Sequence, residues 1–172
     1  GMLNALYALR GAMIDKQKLA LEATRIEQRV IGEAVGSQDQ VWAAFGGINR
    51  IDFPIAGDFQ VRPLVIPGER RQELFDHLLL FFTGFSRFAS KIAQKQIDNF
   101  DQRQEHLKTI ISLVDEAQGV LQSDSRPIRE IGDLLNRSWQ LKRELADSVT
   151  TPEIDEIYDT ALDAGAIGGK LL

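Results

Sequence analysis

Residues Gly36-Ser37-Gln38-Asp39-Gln40 set one acid among small and amide side chains in a glycine-flanked turn. A carboxylate placed this way can act as a general base, or orient a hydroxyl about to react. The same pattern suits an ordinary N-cap or Asx turn, and the residues alone leave both readings open. Thr83-Gly84-Phe85-Ser86-Arg87 is a second candidate. Arg87 in the first turn of a helix could hold a phosphate, or be a solvated arginine behind a capped start. Glu27 by itself reads as a solvated acid on a helix surface. The two histidines, His77 and His106, cannot build a multi-histidine metal site and read as structural or exposed. Trp42 and Trp139 read as core rather than as ligand platforms. There is no GxxxxGK[ST] phosphate loop, HExxH, GxSxG or GxGxxG.

The elements that must position these residues are mostly helices. Met2 to Leu9 is a short apolar helix without an N-cap. Asp15 caps the next helix, whose stripe Leu19, Ala23, Ile26, Val30 repeats at helical spacing and stops near Gly32. Gly36 to Gly47 carries a short helix in its middle. Ile48 to Phe53 and Phe59 to Ile66 read as strands of a hairpin around Pro54 and Gly57. Pro67-Gly68 is the clearest punctuation and marks the expected domain boundary. A short helix from Glu69 to Asp76 then leads into an expected buried strand, His77 to Phe82, apolar on both faces. Helices are expected over Ser86 to Phe100, over Gln102 to Leu121, and from a cap at Ser125 to about Ala146. Thr151-Pro152-Glu153 is a strong start for a last helix ending near Gly165. The fold class is therefore α+β, with more helix than strand.

With 172 residues the chain holds one domain or two small ones. Its 20 Lys and Arg against 25 Asp and Glu give a net charge of −5, which argues against a general nucleic-acid binder. The absence of cysteine removes thiolate catalysis, cysteine zinc sites and disulfides, and fits a reducing cytoplasm. No apolar run approaches the roughly 18 residues of a membrane helix. The opening Gly1-Met2-Leu3-Asn4 lacks the basic flank of a signal peptide.

The stretch RIEQRVIGEAVGSQDQVWAAFGGINRIDF, Arg25 to Phe53, resembles the middle of the GHMP kinases. LLLFFTGFSRFASKIAQKQ (Leu78 to Gln96), SWQLKRELA (Ser138 to Ala146) and TPEIDEIYDTALDAGAIGGKLL (Thr151 to Leu172) resemble one branch, the bacterial D-glycero-D-manno-heptose 7-phosphate kinases. The resemblance implies a two-domain kinase, with residues 1–66 the end of the N-terminal domain and residues 67–172 an incomplete C-terminal domain. It also implies that both glycine-rich loops of the family lie outside these residues, so that the chain is the middle of a kinase and inactive alone.

The residue roles follow from the same resemblance. Asp39 matches the family's catalytic acid, which accepts a proton from, or orients, the sugar hydroxyl. Glu27 matches in approximate position the Glu that helps hold Mg²⁺, and the two acids are expected to face one cleft. Ser37 and Gln38 fall where relatives form the sugar pocket. Arg87 is assigned to an anionic group of the substrate, since its fork suits a phosphate. The implied cofactors are ATP and Mg²⁺, the partners a sugar phosphate and ATP, and the location the cytoplasm, with no nucleic acid or membrane involved. Open edges on the apolar strand imply self-association of the chain. The rivals are a GHMP kinase for another sugar, of fucose or galactose type, and a non-catalytic helical interaction domain.

Overall fold

The computed structural model describes residues 1–84, 104–145 and 149–171. These residues fall into two compact units, the first ending at Leu64 and the second starting at Val65. Each has its own small core.

The first unit opens with α1 (Met2–Leu9) and α2 (Lys16–Arg25). Asp15 caps α2 as its position suggests, with Oδ1 accepting from the Lys18 N–H at 2.7 Å. The helix does not stop at Arg25. It widens into a π-helical turn, Ile26–Ile31, and ends at Gly32, whose φ of 81° places it in the left-handed region. α3 (Gln38–Phe45) follows and packs on α2. Ala20 and Val41 are both fully buried, and Phe59 closes the cluster, with Ala44, Phe45, Ile51 and Val61 around it. Lys16 ties the start of α2 to the end of α3, donating from Nζ to the Phe45 carbonyl at 2.9 Å.

The expected hairpin forms, with shorter strands. β1 (Asn49–Asp52) and β2 (Gln60–Pro63) pair antiparallel, with Arg50 opposite Arg62 and Asp52 opposite Gln60. Two like charges face each other across this ladder, and Asp52 offsets them. Its carboxylate accepts from Arg50 Nε at 2.9 Å and Arg62 Nε at 3.0 Å. Hydrogen bonds from Arg50 and then Arg62 hold its carboxyl below the usual carboxylate range.

The second unit contains α4 (Gly68–Asp76), α5 (Gln104–Gln122), α6 (Glu130–Leu145) and α7 (Pro152–Asp163). α5 and α6 meet along Leu113, Ala117 and Val120 on one side and Ile131, Leu134 and Leu141 on the other. These are helical repeats of three, four and seven, as an amphipathic pair requires. Thr151 caps α7, accepting from the Ile154 N–H, with Pro152 next. α6 starts at Glu130, later than a cap at Ser125 implies. Pro127 explains the delay: it disfavours helical backbone at Arg126. Ser123, not Ser125, accepts the local N–H groups, those of Ser125 and Arg126 at 3.2 Å.

The expected strand from His77 to Phe82 is not formed. After α4 the chain runs irregularly, and Leu78 to Phe82 are exposed, Leu79 at 90%. A strand is held by its ladder partners, and the two-stranded sheet, the one sheet among the described residues, lies in the first unit. The helix expected over Ser86 to Phe100 lies outside the described residues.

Arg70 joins three segments of the second unit. Its side chain is 10% exposed. One nitrogen, Nη2, donates to the Val120 carbonyl at 2.9 Å and the Arg126 carbonyl at 2.5 Å, while Nη1 meets Glu73 at 2.8 Å. The Val120 carbonyl lies in the last turn of α5, where a cation complements the helix dipole. Arg70→Met keeps much of the apolar stem and removes every donor. It should lower the unfolding free energy by about 2 kcal/mol, the scale of a charged hydrogen bond, as measured by urea denaturation. An unchanged midpoint would show that the carbonyls find water instead.

Candidate functional site

The first turn of α3 carries the GSQDQ residues. Val41 turns inward onto Ala20, so Asp39, two positions earlier and about 200° round the helix, is exposed. Gln38 is also exposed, and Ser37 is half-buried at the N-cap position. The Ser37 side chain makes no capping bond, although Ser is a favoured cap. Its carbonyl still accepts the first helical hydrogen bond, from the Val41 N–H at 3.2 Å. A carboxylate in the first turn is favoured by the N-terminal dipole.

Glu27 is held at both ends. Its backbone carbonyl accepts from the Gly32 N–H, and from the Glu33 N–H at 3.0 Å. Its side chain, partly buried, accepts a short hydrogen bond from Gln40 Nε2. Gln28 adds a brace, donating to the Val35 carbonyl at 2.8 Å across the intervening loop. The π-turn and the first turn of α3 are therefore joined by side chains. Glu27 lies against the residue that follows Asp39 in the chain. Arg87 lies outside the described residues.

The donors suit one kind of metal site. Mg²⁺ keeps several waters and is commonly bound by one or two carboxylates plus substrate phosphates. Glu27 offers a hard oxygen already oriented by an amide. Beside it, Gln40 Oε1 is buried without a hydrogen-bond partner among the described residues. Among those residues no three Asp, Glu or His side chains gather into an ion cage. A lone carboxylate such as Glu27 fits an ion whose other ligands are water or a bound phosphate.

Gln40 is the residue that reading the sequence missed. It sits beside Asp39, but its partner is thirteen residues away, and helical periodicity carries no trace of the π-turn that brings them together.

In the second unit, the glycine-rich stretch after α7 lies directly on α6. A Cβ on Gly168 would come within 2.3 Å of the Gly132 carbonyl oxygen and 2.7 Å of Asn136 Cβ. Gly132 is equally closed, since its Cβ would meet Ile167 Cβ at 2.8 Å. Tyr158 of α7 locks the same corner, donating to Asn136 Oδ1 at 2.8 Å and packing on the buried Trp139. Burial pushes the Tyr158 hydroxyl above its ordinary pKa, and the Gly169 backbone opposes that in part.

This corner lies within the part of the chain that matches a described protein family. Residues 121–172 match the GHMP kinases C-terminal family. The chain is 27% identical, over 99% of its length, to D-glycero-alpha-D-manno-heptose 7-phosphate kinase of Campylobacter jejuni. It is 28% identical, over 77% of its length, to the bifunctional fucokinase/GDP-fucose pyrophosphorylase of Arabidopsis thaliana. The resemblance to GHMP kinases is thus shown, and both relatives are sugar kinases by name. The chain spans half the length of the first relative and 13% of the second. No helix among the described residues is long and apolar enough to cross a membrane.

The close approach of Gly168 to α6 has a testable cost. Gly168→Ala should destabilise the second unit by about 1–3 kcal/mol, the usual cost of overpacking, with a lowered thermal midpoint. A variant as stable as the parent would show that the stretch is not docked against α6.

Proposed function

We propose that this chain is part of an ATP-dependent sugar-phosphate kinase, which transfers the γ-phosphate of ATP to the anomeric hydroxyl of a heptose 7-phosphate. The observation that carries this reading is the similarity to the Campylobacter heptose 7-phosphate kinase along 99% of the chain. Residues 1–66 are assigned to the end of the N-terminal domain and residues 67–172 to the C-terminal domain.

In this reading Asp39 orients the sugar hydroxyl and takes its proton as the oxygen–phosphorus bond forms and the bond from the γ-phosphorus to the departing ADP breaks. Its exposure on α3 leaves it free to meet a substrate. Ser37 and Gln38 contact the sugar, which fits a serine hydroxyl not committed to capping. Arg87 pairs with the phosphate that heptose 7-phosphate carries. Glu27 helps hold Mg²⁺, which when bound neutralises charge on the ATP phosphates. Phosphoryl transfer is mainly positioning and charge neutralisation, so a base without a cradled donor achieves little. None of the phosphate-loop motifs named above occurs in these 172 residues, and alone they should transfer no phosphate. The reaction belongs in the cytoplasm, where ATP is supplied.

The similarity to the fucokinase favours one alternative, a fucose-type substrate. Offering the full-length protein both sugars with ATP and Mg²⁺ separates the two. Heptose 7-phosphate should be turned over, and Asp39→Asn should lower kcat at least about 10²-fold, the scale of a positioned acid or base. Turnover of fucose alone would move the assignment to the second relative. Full activity in Asp39→Asn would remove Asp39 from the chemistry.

The chain should also self-associate. Leu78 to Phe82 expose between 50% and 90% of their surface, which favours cover by a second copy. Sedimentation of the 172-residue chain at low micromolar concentration should show dimers or larger species. A monomer throughout would contradict this.

A further inference from the structure

Gln40 follows Asp39 in the first turn of α3. Nε2 of its amide reaches across thirteen residues of sequence to Glu27 Oε2 in a partly buried contact. The opposite end of the amide, Oε1, is buried and unpartnered among the described residues. The orientation is forced, because an amide oxygen turned to a carboxylate would put two acceptors together. The backbone of Glu27 is fixed independently, by the Gly32 and Glu33 N–H groups on its carbonyl. What the backbone leaves undetermined is the carboxylate's rotamer, and this the amide supplies.

We infer that Gln40 is a positioning residue, which holds the Glu27 carboxylate in the orientation that meets the metal ion and thereby links the ion to the helix carrying Asp39. This rests on the assignment of Glu27 to Mg²⁺. Groups that orient a metal-binding carboxylate typically matter by 10–100-fold in metal affinity. Gln40 need touch neither substrate nor ion to have such an effect.

The test is a titration of the full-length protein with Mn²⁺ in the presence of ADP, with free Mn²⁺ followed by electron paramagnetic resonance. The variants are Gln40→Leu, Glu27→Gln and the double substitution. Gln40→Leu should weaken Mn²⁺ binding about 10-fold, Glu27→Gln should weaken it at least as much, and the double variant should lose no more than Glu27→Gln alone. A purely structural role would instead lower the thermal midpoint and leave Mn²⁺ affinity unchanged. If Gln40→Leu does not fold, Gln40→Asn carries the same expectation, since it keeps the amide and shortens its reach. Wild-type Mn²⁺ affinity in the Gln40 variant beside a weakened Glu27→Gln overturns the inference alone. Wild-type affinity in Glu27→Gln overturns the metal assignment and the inference with it. Additive losses in the double variant show that Gln40 acts through another group, and also overturn it.

Discussion

The hydrogen bond from Gln40 to Glu27 is the constraint on which the candidate site depends. It joins two segments that local structure alone would leave separate, the widened end of α2 and the first turn of α3. A π-turn closes over i→i+5 instead of i→i+4, so it turns the backbone out of the regular helical register. Gly32 can then end the turn in the left-handed region without steric cost, and the chain returns to start α3. Packing of Ala20 on Val41 fixes the distance between the helices, because a small residue on one side lets the backbones approach. Asp39 is exposed as a consequence of that packing: the face opposite Val41 must point to solvent.

The second unit is organised by other means. Arg70 caps the end of α5 from α4, and the Gly132–Gly168 approach docks the stretch after α7. Both devices fix backbone position rather than add apolar area. Among the described residues of this unit, Trp139 and Val120 are the large side chains buried completely. At about 1.5–3 kcal/mol for each fully buried large side chain, a few polar pins weigh heavily in a unit of this size.

Much of this architecture was legible in the sequence, for local reasons. Asp15, Gly32, Thr151-Pro152 and Gly165 act through nearby backbone, and each does what its residue type and position imply. The hairpin could be read because two short strand-like runs flank a loop with Pro54 and Gly57. The failures share another origin. Leu78 to Phe82 has the composition of a buried strand, but composition cannot supply the neighbour that would pair with it. Ser125 has the right type for a cap and loses to Pro127 two residues later. The Gln40 bond and the Gly168 approach depend on residues distant in sequence, to which helical periodicity is blind. The roles proposed for Asp39 and Glu27 rest on resemblance: by residue type alone Asp39 suits a positioned acid or an ordinary cap, and Glu27 a solvated helix surface.

In the proposed function Glu27 and Asp39 belong to one reaction centre. A crystal structure of the full-length protein with Mg²⁺, a non-hydrolysable ATP analogue and heptose 7-phosphate tests that directly. It should show a Glu27 oxygen bound to Mg²⁺ at about 2.0–2.1 Å or through one water, Gln40 on the other oxygen, and Asp39 within hydrogen-bond reach of the anomeric hydroxyl. Mg²⁺ bound away from Glu27, with Asp39 facing solvent and the sugar elsewhere, would contradict it.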